Sequence, residues 1–180
     1  MSDAFDKLLQ RSVQARRDRR LEDAERDLVE AVAISRTSGV RVELARALTA
    51  LGQIERDRHC TEDAFCHYEE AAGLYRAEGD TLRLARTVRH AGDIQREAGH
   101  PELAEPCYHG ALSLYRGHAG TPPLDLANAI RGLAILKSDA GETTAAKALW
   151  EEARALYAAV NVEAGVVESS RRLALLARKS

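Results

Sequence analysis

Leu44-Ala45-Arg46-Ala47-Leu48-Thr49-Ala50-Leu51-Gly52-Gln53-Ile54 returns forty residues later as Leu84-Ala85-Arg86-Thr87-Val88-Arg89-His90-Ala91-Gly92-Asp93-Ile94. It returns again, 42 residues further on, as Leu126-Ala127-Asn128-Ala129-Ile130-Arg131-Gly132-Leu133-Ala134-Ile135-Leu136. Twelve residues beyond Gly52, Gly92 and Ala134 comes a second motif, a small residue followed by a ring: Ala64-x3-Tyr68, Ala104-x3-Tyr108 and Ala146-x3-Trp150. Ala24-x3-Leu28 is a fainter earlier copy. A period this long marks a supersecondary unit that cannot bury its own apolar face and must stack on a neighbour.

Each unit reads as a helical hairpin. Leu44, Leu48, Leu51 and Ile54 recur at helical spacing, as do Ala64, Tyr68, Ala71, Leu74 and Tyr75, so each half offers one apolar stripe. No stretch alternates with the period of a strand. The small residues at 52, 64, 92, 104 and 146 stand where two helices approach closely, and the rings at 68, 108 and 150 fill the gap to the next hairpin. Gly39, Gly79 and Gly120 mark the ends of second helices, and Gly99 and Gly141 the turns within hairpins. Pro101, Pro122 and Pro123 stand at helix starts. Pro106 either kinks the third second-helix or delays its start.

These segments resemble the tetratricopeptide repeat, whose pattern is W-x2-L-G-x2-Y, then A-x3-F, then P. The matching stretches are Leu48-x2-Leu51-Gly52, Val88-x2-Ala91-Gly92 and Ile130-x2-Leu133-Ala134, each with its ring motif. The period is longer than the usual repeat of about 34 residues. Glu55, Gln95 and Lys137 replace the first-motif Tyr, and Arg76, Arg116 and Ala158 the closing Pro. The long variety is similar to the repeats of kinesin light chains and cell-polarity adaptors. The resemblance implies an all-α, right-handed α-solenoid of about four helix-turn-helix repeats plus a C-terminal capping helix. It is expected as a single domain over 1–180, with units near 1–39, 40–79, 80–120 and 121–160 and a cap over 161–180.

Composition narrows the function classes. The chain has 180 residues, 45% hydrophobic and 30% charged, enough for a continuous thin core. It has no apolar run of membrane-spanning length, and Ser2-Asp3-Ala4-Phe5-Asp6 lacks the character of a signal peptide, so a cytoplasmic location without membrane contact is expected. Cys60, Cys66 and Cys107 are odd in number, which argues against a disulfide framework. His59-Cys60 and Cys66-His67 have no metal-knuckle spacing, and no metal or cofactor is expected. A phosphate-binding glycine loop, a nucleophile elbow and an HExxH motif are all lacking, so the reading is not an enzyme.

Charge is where function shows. The first-helix segments sum to +7 and the second-helix segments to −9, which the overall −2 conceals. In the repeat family the first helices line the concave surface. The resemblance then implies a peptide-binding groove of Arg46, Thr49, Gln53 and Arg56, of Arg86, Arg89, Asp93 and Arg96, and of Asn128, Arg131 and Ser138, with Arg171 on the cap. Arg16, Arg56 and Arg96 share one motif position, and Arg89, Arg131 and Arg171 another. Guanidinium forks meet carboxylates two-pronged, so the expected partner is an extended, acidic protein or peptide segment. Solvated faces with local ion pairs are the competing explanation of the same arginines. The ninth motif positions, Val13, Gln53, Asp93, Ile135 and Leu175, lack the Asn of a clamp for a free C-terminus. Self-association through the solenoid ends, with Leu173, Leu175 and Leu176 exposed, is an alternative. Nucleic-acid binding is disfavoured by the net negative charge and the scarcity of inner aromatic platforms.

Overall fold

The computed structural model describes residues 2–178. These form nine α-helices and no strand: α1 Ser2–Arg17, α2 Leu21–Ser38, α3 Arg41–Asp57, α4 Thr61–Ala77, α5 Thr81–Glu97, α6 Pro101–Gly117, α7 Pro123–Asp139, α8 Thr143–Ala159 and α9 Glu163–Ala177. Odd-numbered helices are the first helices of hairpins and even-numbered ones the second, with α9 as the cap. The chain divides into two compact units, Met1–Thr87 and Val88–Ser180, so the boundary falls inside α5.

Six of the eight turns share one closure. Arg20, Cys60, Asp80, His100, Glu142 and Val162 each return their amide to a carbonyl five residues back, on Ala15, Glu55, Tyr75, Gln95, Lys137 and Tyr157, at 2.8–3.0 Å, and the left-handed Gly79 stands before Asp80. This is the outer hydrogen bond of a Schellman-type C-cap, which requires a left-handed residue just before it. Gly99 and Gly141 supply it as the sequence leads one to expect, with φ of 82° and 76°. At the other three of the six the residue is Arg19, His59 or Asn161, with φ of 61°, 63° and 56°, against the usual steric preference. Gly39 is also left-handed, whereas Gly120 lies in the α6–α7 connection and donates its amide to His118 Nδ1 at 3.1 Å. Helix α6 begins at Pro101 and runs through Pro106 without a delayed start. The missing amide costs it only the bond to the Glu102 carbonyl.

Packing follows the motif. In unit 1 the core is Phe5, Leu28, Ala45, Leu48, Ile54, Ala64 and Tyr68, all at most 2% exposed. In unit 2 it is Ile94, Ala104, Tyr108, Ala127, Ile130, Ala146 and Trp150, likewise at most 2% exposed. The close approaches occur at the small residues: a Cβ on Gly52 would lie 3.1 Å from the Ala64 carbonyl oxygen, and one on Gly92 3.0 Å from Cys107 Cβ. Two tighter approaches fall outside the Gly52 and Gly92 position, and one of them, Gly132, stands where the other copies have Ala50 and His90. A Cβ on Gly132 would lie 2.4 Å from the Tyr108 ring, and one on Gly165 2.4 Å from the Tyr157 ring.

The cap departs from expectation. Leu176 is buried against Trp150 together with Ala134, Ile135 and Ala146, and Leu173 packs on the same cluster. Of the three leucines expected at the surface only Leu175 is exposed. The other two are needed to close the last ring pocket, because α9 is the element that covers Trp150.

Candidate functional site

The first-helix arginines are members of ion pairs, and while Arg16, Arg46 and Arg131 are 39–45% exposed, Arg89 is only 14% exposed and Arg96 22%. In unit 1, Arg16 forks Asp57, with Nε and a terminal nitrogen 2.6 and 3.3 Å from its two oxygens, and Gln53 donates to the same carboxylate at 3.1 Å. Arg46 lies 3.4 Å from Asp6 and stacks 5.3 Å above the centre of the Phe5 ring. The Thr49 hydroxyl donates to the Ala45 carbonyl at 2.8 Å and also meets the Tyr75 hydroxyl. Arg56 and Arg86 are engaged as well.

Unit 2 gathers the remaining positions into a polar network. Asp93 is 7% exposed, accepts from the Tyr108 hydroxyl at 2.9 Å and from Arg89 at 2.8 Å, and has His90 Nδ1 at 3.7 Å. Arg96 completes the chain by donating its Nε–H to the Tyr108 oxygen at 3.3 Å. Burial first, then the Asp93 charge, pushes the Tyr108 phenol well above its ordinary value. The hydroxyl therefore stays a donor, and the buried carboxylate is held by two donors in place of water.

Two further groove positions serve the rings. Ser138 accepts from the Trp150 indole at 3.0 Å while donating to the Ala134 carbonyl at 2.6 Å. Asn128 accepts from the Tyr157 hydroxyl at 2.9 Å. Arg96 and Ser138 share a motif position, and each meets the polar tip of the ring twelve residues on. In unit 2 the polar residue at this position serves the ring, whereas Arg16, at the same position twelve residues before Leu28, forks Asp57 instead.

Arg131 stands apart. It forks Glu168 of α9 with bonds of 2.6 and 2.9 Å, and its side chain remains 39% exposed. The hydrogen bond to Arg131 holds the Glu168 carboxyl below the usual range, and the same bond raises the guanidinium. Arg171, one turn along α9, is exposed and adds its field to Glu168. Arg89, Arg131 and Arg171 thus all belong to unit 2, with Asp93 and Glu168 between them.

The sequence reading named Asp57 and Asp93 among the acids that could neutralise these arginines, but it missed Asp6 and Glu168. Arg16–Asp57 and Arg131–Glu168 are 41 and 37 residues apart, close to one repeat period, and opposite charges one period apart on first helices would have signalled them. It also missed a pair inside the second hairpin, where the buried Glu55 on α3 meets His67 of α4 at 2.7 Å. That bond raises His67 above its ordinary value. Second helices carry their own pairs, in which one terminal nitrogen of Arg36 meets both oxygens of Glu70 and one of Arg116 both oxygens of Glu152. Among the described residues no helix is long and apolar enough to cross a membrane.

No protein-family model matches the chain, and no curated protein sequence matches it. Solved structures do. BtubC (BKLC) of P. vanneervenii superposes with a TM-score of 0.75 at 22% identity over 83% of this chain. The chain spans 61% of the length of BtubC. MamA superposes with a TM-score of 0.62 at 14% identity, covering 99% of this chain and 94% of its own. The nearly identical TPR-like repeats of a P. anserina protein named as a kinesin light chain give 0.58 at 11% identity, over 96% of this chain and 94% of theirs. With the helix order and ring packing above, these likenesses place the chain in the all-α, tetratricopeptide-like class of helical-repeat solenoids.

Proposed function

We propose that the chain is a non-catalytic protein-interaction module, and that the first-helix face of unit 2 binds an acidic, extended segment of a protein partner through Arg89, Arg131 and Arg171. The observation that carries this reading is the fork on Glu168: Arg131 stands in a geometry that takes a carboxylate two-pronged, with 39% of its side chain open to solvent. A peptide carboxylate has the same chemistry as the glutamate that sits there. Charge-assisted contacts contribute about 1.5–3 kcal/mol each when shielded from water, and association costs at least about 4 kcal/mol, so the arginines supply selectivity for acidic segments and only part of the affinity. Within unit 2, Asp93, Arg96, Asn128 and Ser138 belong to the same proposed peptide-facing set, and Arg46, Thr49, Gln53, Arg56 and Arg86 are proposed as a separate set of unit 1. Several of these hold rings or local acids, so their contribution is to position the arginines more than to touch the ligand.

The test is a peptide array of acidic, neutral and basic segments probed at low and physiological salt, with wild type beside Arg89→Gln/Arg131→Gln. Neutral replacements avoid placing a new carboxylate next to Asp93 and Glu168. Salt-sensitive retention of acidic segments, lost in the double variant, is the expected result. Equal retention by both proteins discards the site.

A further inference from the structure

The carboxylate that occupies Arg131 is the chain's own, and it comes from the terminal helix. Glu168 sits on α9, which otherwise covers Trp150 with Leu173 and Leu176. Its two oxygens take the Arg131 Nε–H and a terminal N–H at 2.6 and 2.9 Å, which fills the side edge of the guanidinium. A ligand carboxylate that approaches Arg131 along that edge meets a filled site. The pair is not sealed in the core: 26% of the Glu168 side chain and 39% of the Arg131 side chain are exposed, so exchange requires a side-chain rotation and no unfolding.

We infer that Glu168 is an internal competitor for the proposed acidic ligand, a tethered carboxylate that α9 holds on Arg131 and that the ligand displaces. This rests on the reading of the unit 2 face given above. A tethered group competes at high effective concentration, so it lowers the apparent affinity by the fraction of time it holds the site. It also rejects weakly acidic segments, which cannot replace a two-pronged bond, and so sets a threshold on ligand charge. The surroundings provide for the displaced side chain. Arg171 and Arg172 on α9 both act electrostatically on Glu168, and Arg172 stacks 5.7 Å above Trp150, so a rotated Glu168 still finds cations on its own helix. The charged groups acting on the Arg131 site are Asp93 of α5 and Glu168 of α9, with the Tyr157 phenol of α8 beside them.

The experiment titrates a labelled hexaglutamate peptide into the full chain, with hexaglutamine as the uncharged control. Wild type, Glu168→Gln and Arg89→Gln/Arg131→Gln are compared. The inference expects Glu168→Gln to bind hexaglutamate about tenfold more tightly than wild type, a shift of about 1.4 kcal/mol, with hexaglutamine unaffected. Equal or weaker binding by Glu168→Gln, when the double arginine variant has lost the wild-type affinity, overturns the competitor and leaves the site standing. Failure of every form to bind hexaglutamate, or binding that ignores the arginine changes, overturns the site and the competitor together. A second readout guards against a misfolded variant and needs no substitution. In wild-type protein followed by carbon-detected NMR at neutral pH, where hexaglutamate keeps its charge, saturation is expected to shift the Glu168 carboxyl carbon in step with the Arg131 Nε–H. A Glu168 carboxyl resonance unmoved at saturation overturns displacement.

Discussion

Replacing Gly132 with Ala places a methyl group 2.4, 2.8 and 3.0 Å from Cε1, Cζ and Cδ1 of Tyr108. The ring has nowhere to go, since it is fully buried and its hydroxyl is bonded to the buried Asp93 at 2.9 Å. Overpacking of this kind costs about 1–3 kcal/mol. Tilting the ring away to relieve it gives up a charge-assisted bond worth about 1.5–3 kcal/mol and leaves Asp93 short of a donor. Against this, a helical Ala is favoured over Gly by about 0.5–1 kcal/mol. The net expectation, with the ring tilted and its bond lost, is a destabilisation of about 0.5–2.5 kcal/mol. Urea unfolding followed by Trp150 fluorescence measures it, because the single tryptophan lies in the same unit. Gly110→Ala is the control: its new Cβ would meet only Val88 Cγ1, at an ordinary 3.8 Å. It should be neutral or stabilise by up to about 1 kcal/mol. A Gly132→Ala protein as stable as wild type would refute the claim that this glycine exists to admit the ring.

Further outcomes follow from other residues. Tyr68→Ala removes a fully buried ring and should cost about 3–5 kcal/mol, against under about 1 kcal/mol for a surface position. His59→Gly relieves a left-handed residue at φ 63° and should stabilise unit 1 by about 0.5–1 kcal/mol; a loss of stability would mean that the imidazole itself is needed. An NMR titration should place the His67 midpoint above 6.5, and Glu55→Gln should return it toward that value. A histidine raised in this way adds stability below its ordinary value and loses it as pH climbs through the raised folded value. Unfolding midpoints of wild type should therefore approach those of Glu55→Gln on the alkaline side, and a gap that widens there would contradict the pair.

The fold was legible because the period is carried by residues whose size matters: Gly52 and Gly92 against Ala64, Ala104 and the rings can be seen as a pattern without coordinates. The site was legible only as positions. Whether Arg96 faces a ligand or the tip of Tyr108 depends on where a hydroxyl lands, which no period encodes. Asp6 and Glu168 stand outside the quoted motif, so only their spacing of about one period from Arg46 and Arg131 could have announced those pairs. Leu176 was misplaced for a related reason. As an unpaired first helix, α9 shows an apolar stripe, and only its packing on Trp150 shows which side is covered. Gly132 and Gly165 likewise became informative only once Tyr108 and Tyr157 had positions.

The most direct measurement is the response of arginine Nε–H resonances to an acidic peptide bound to the wild-type chain. The account predicts that Arg89, Arg131 and Arg171 shift together and saturably, while Arg36 and Arg116, paired with Glu70 and Glu152 on second helices, stay where they are. Shifts confined to the second-helix arginines, with Arg131 unmoved at saturation, would contradict it.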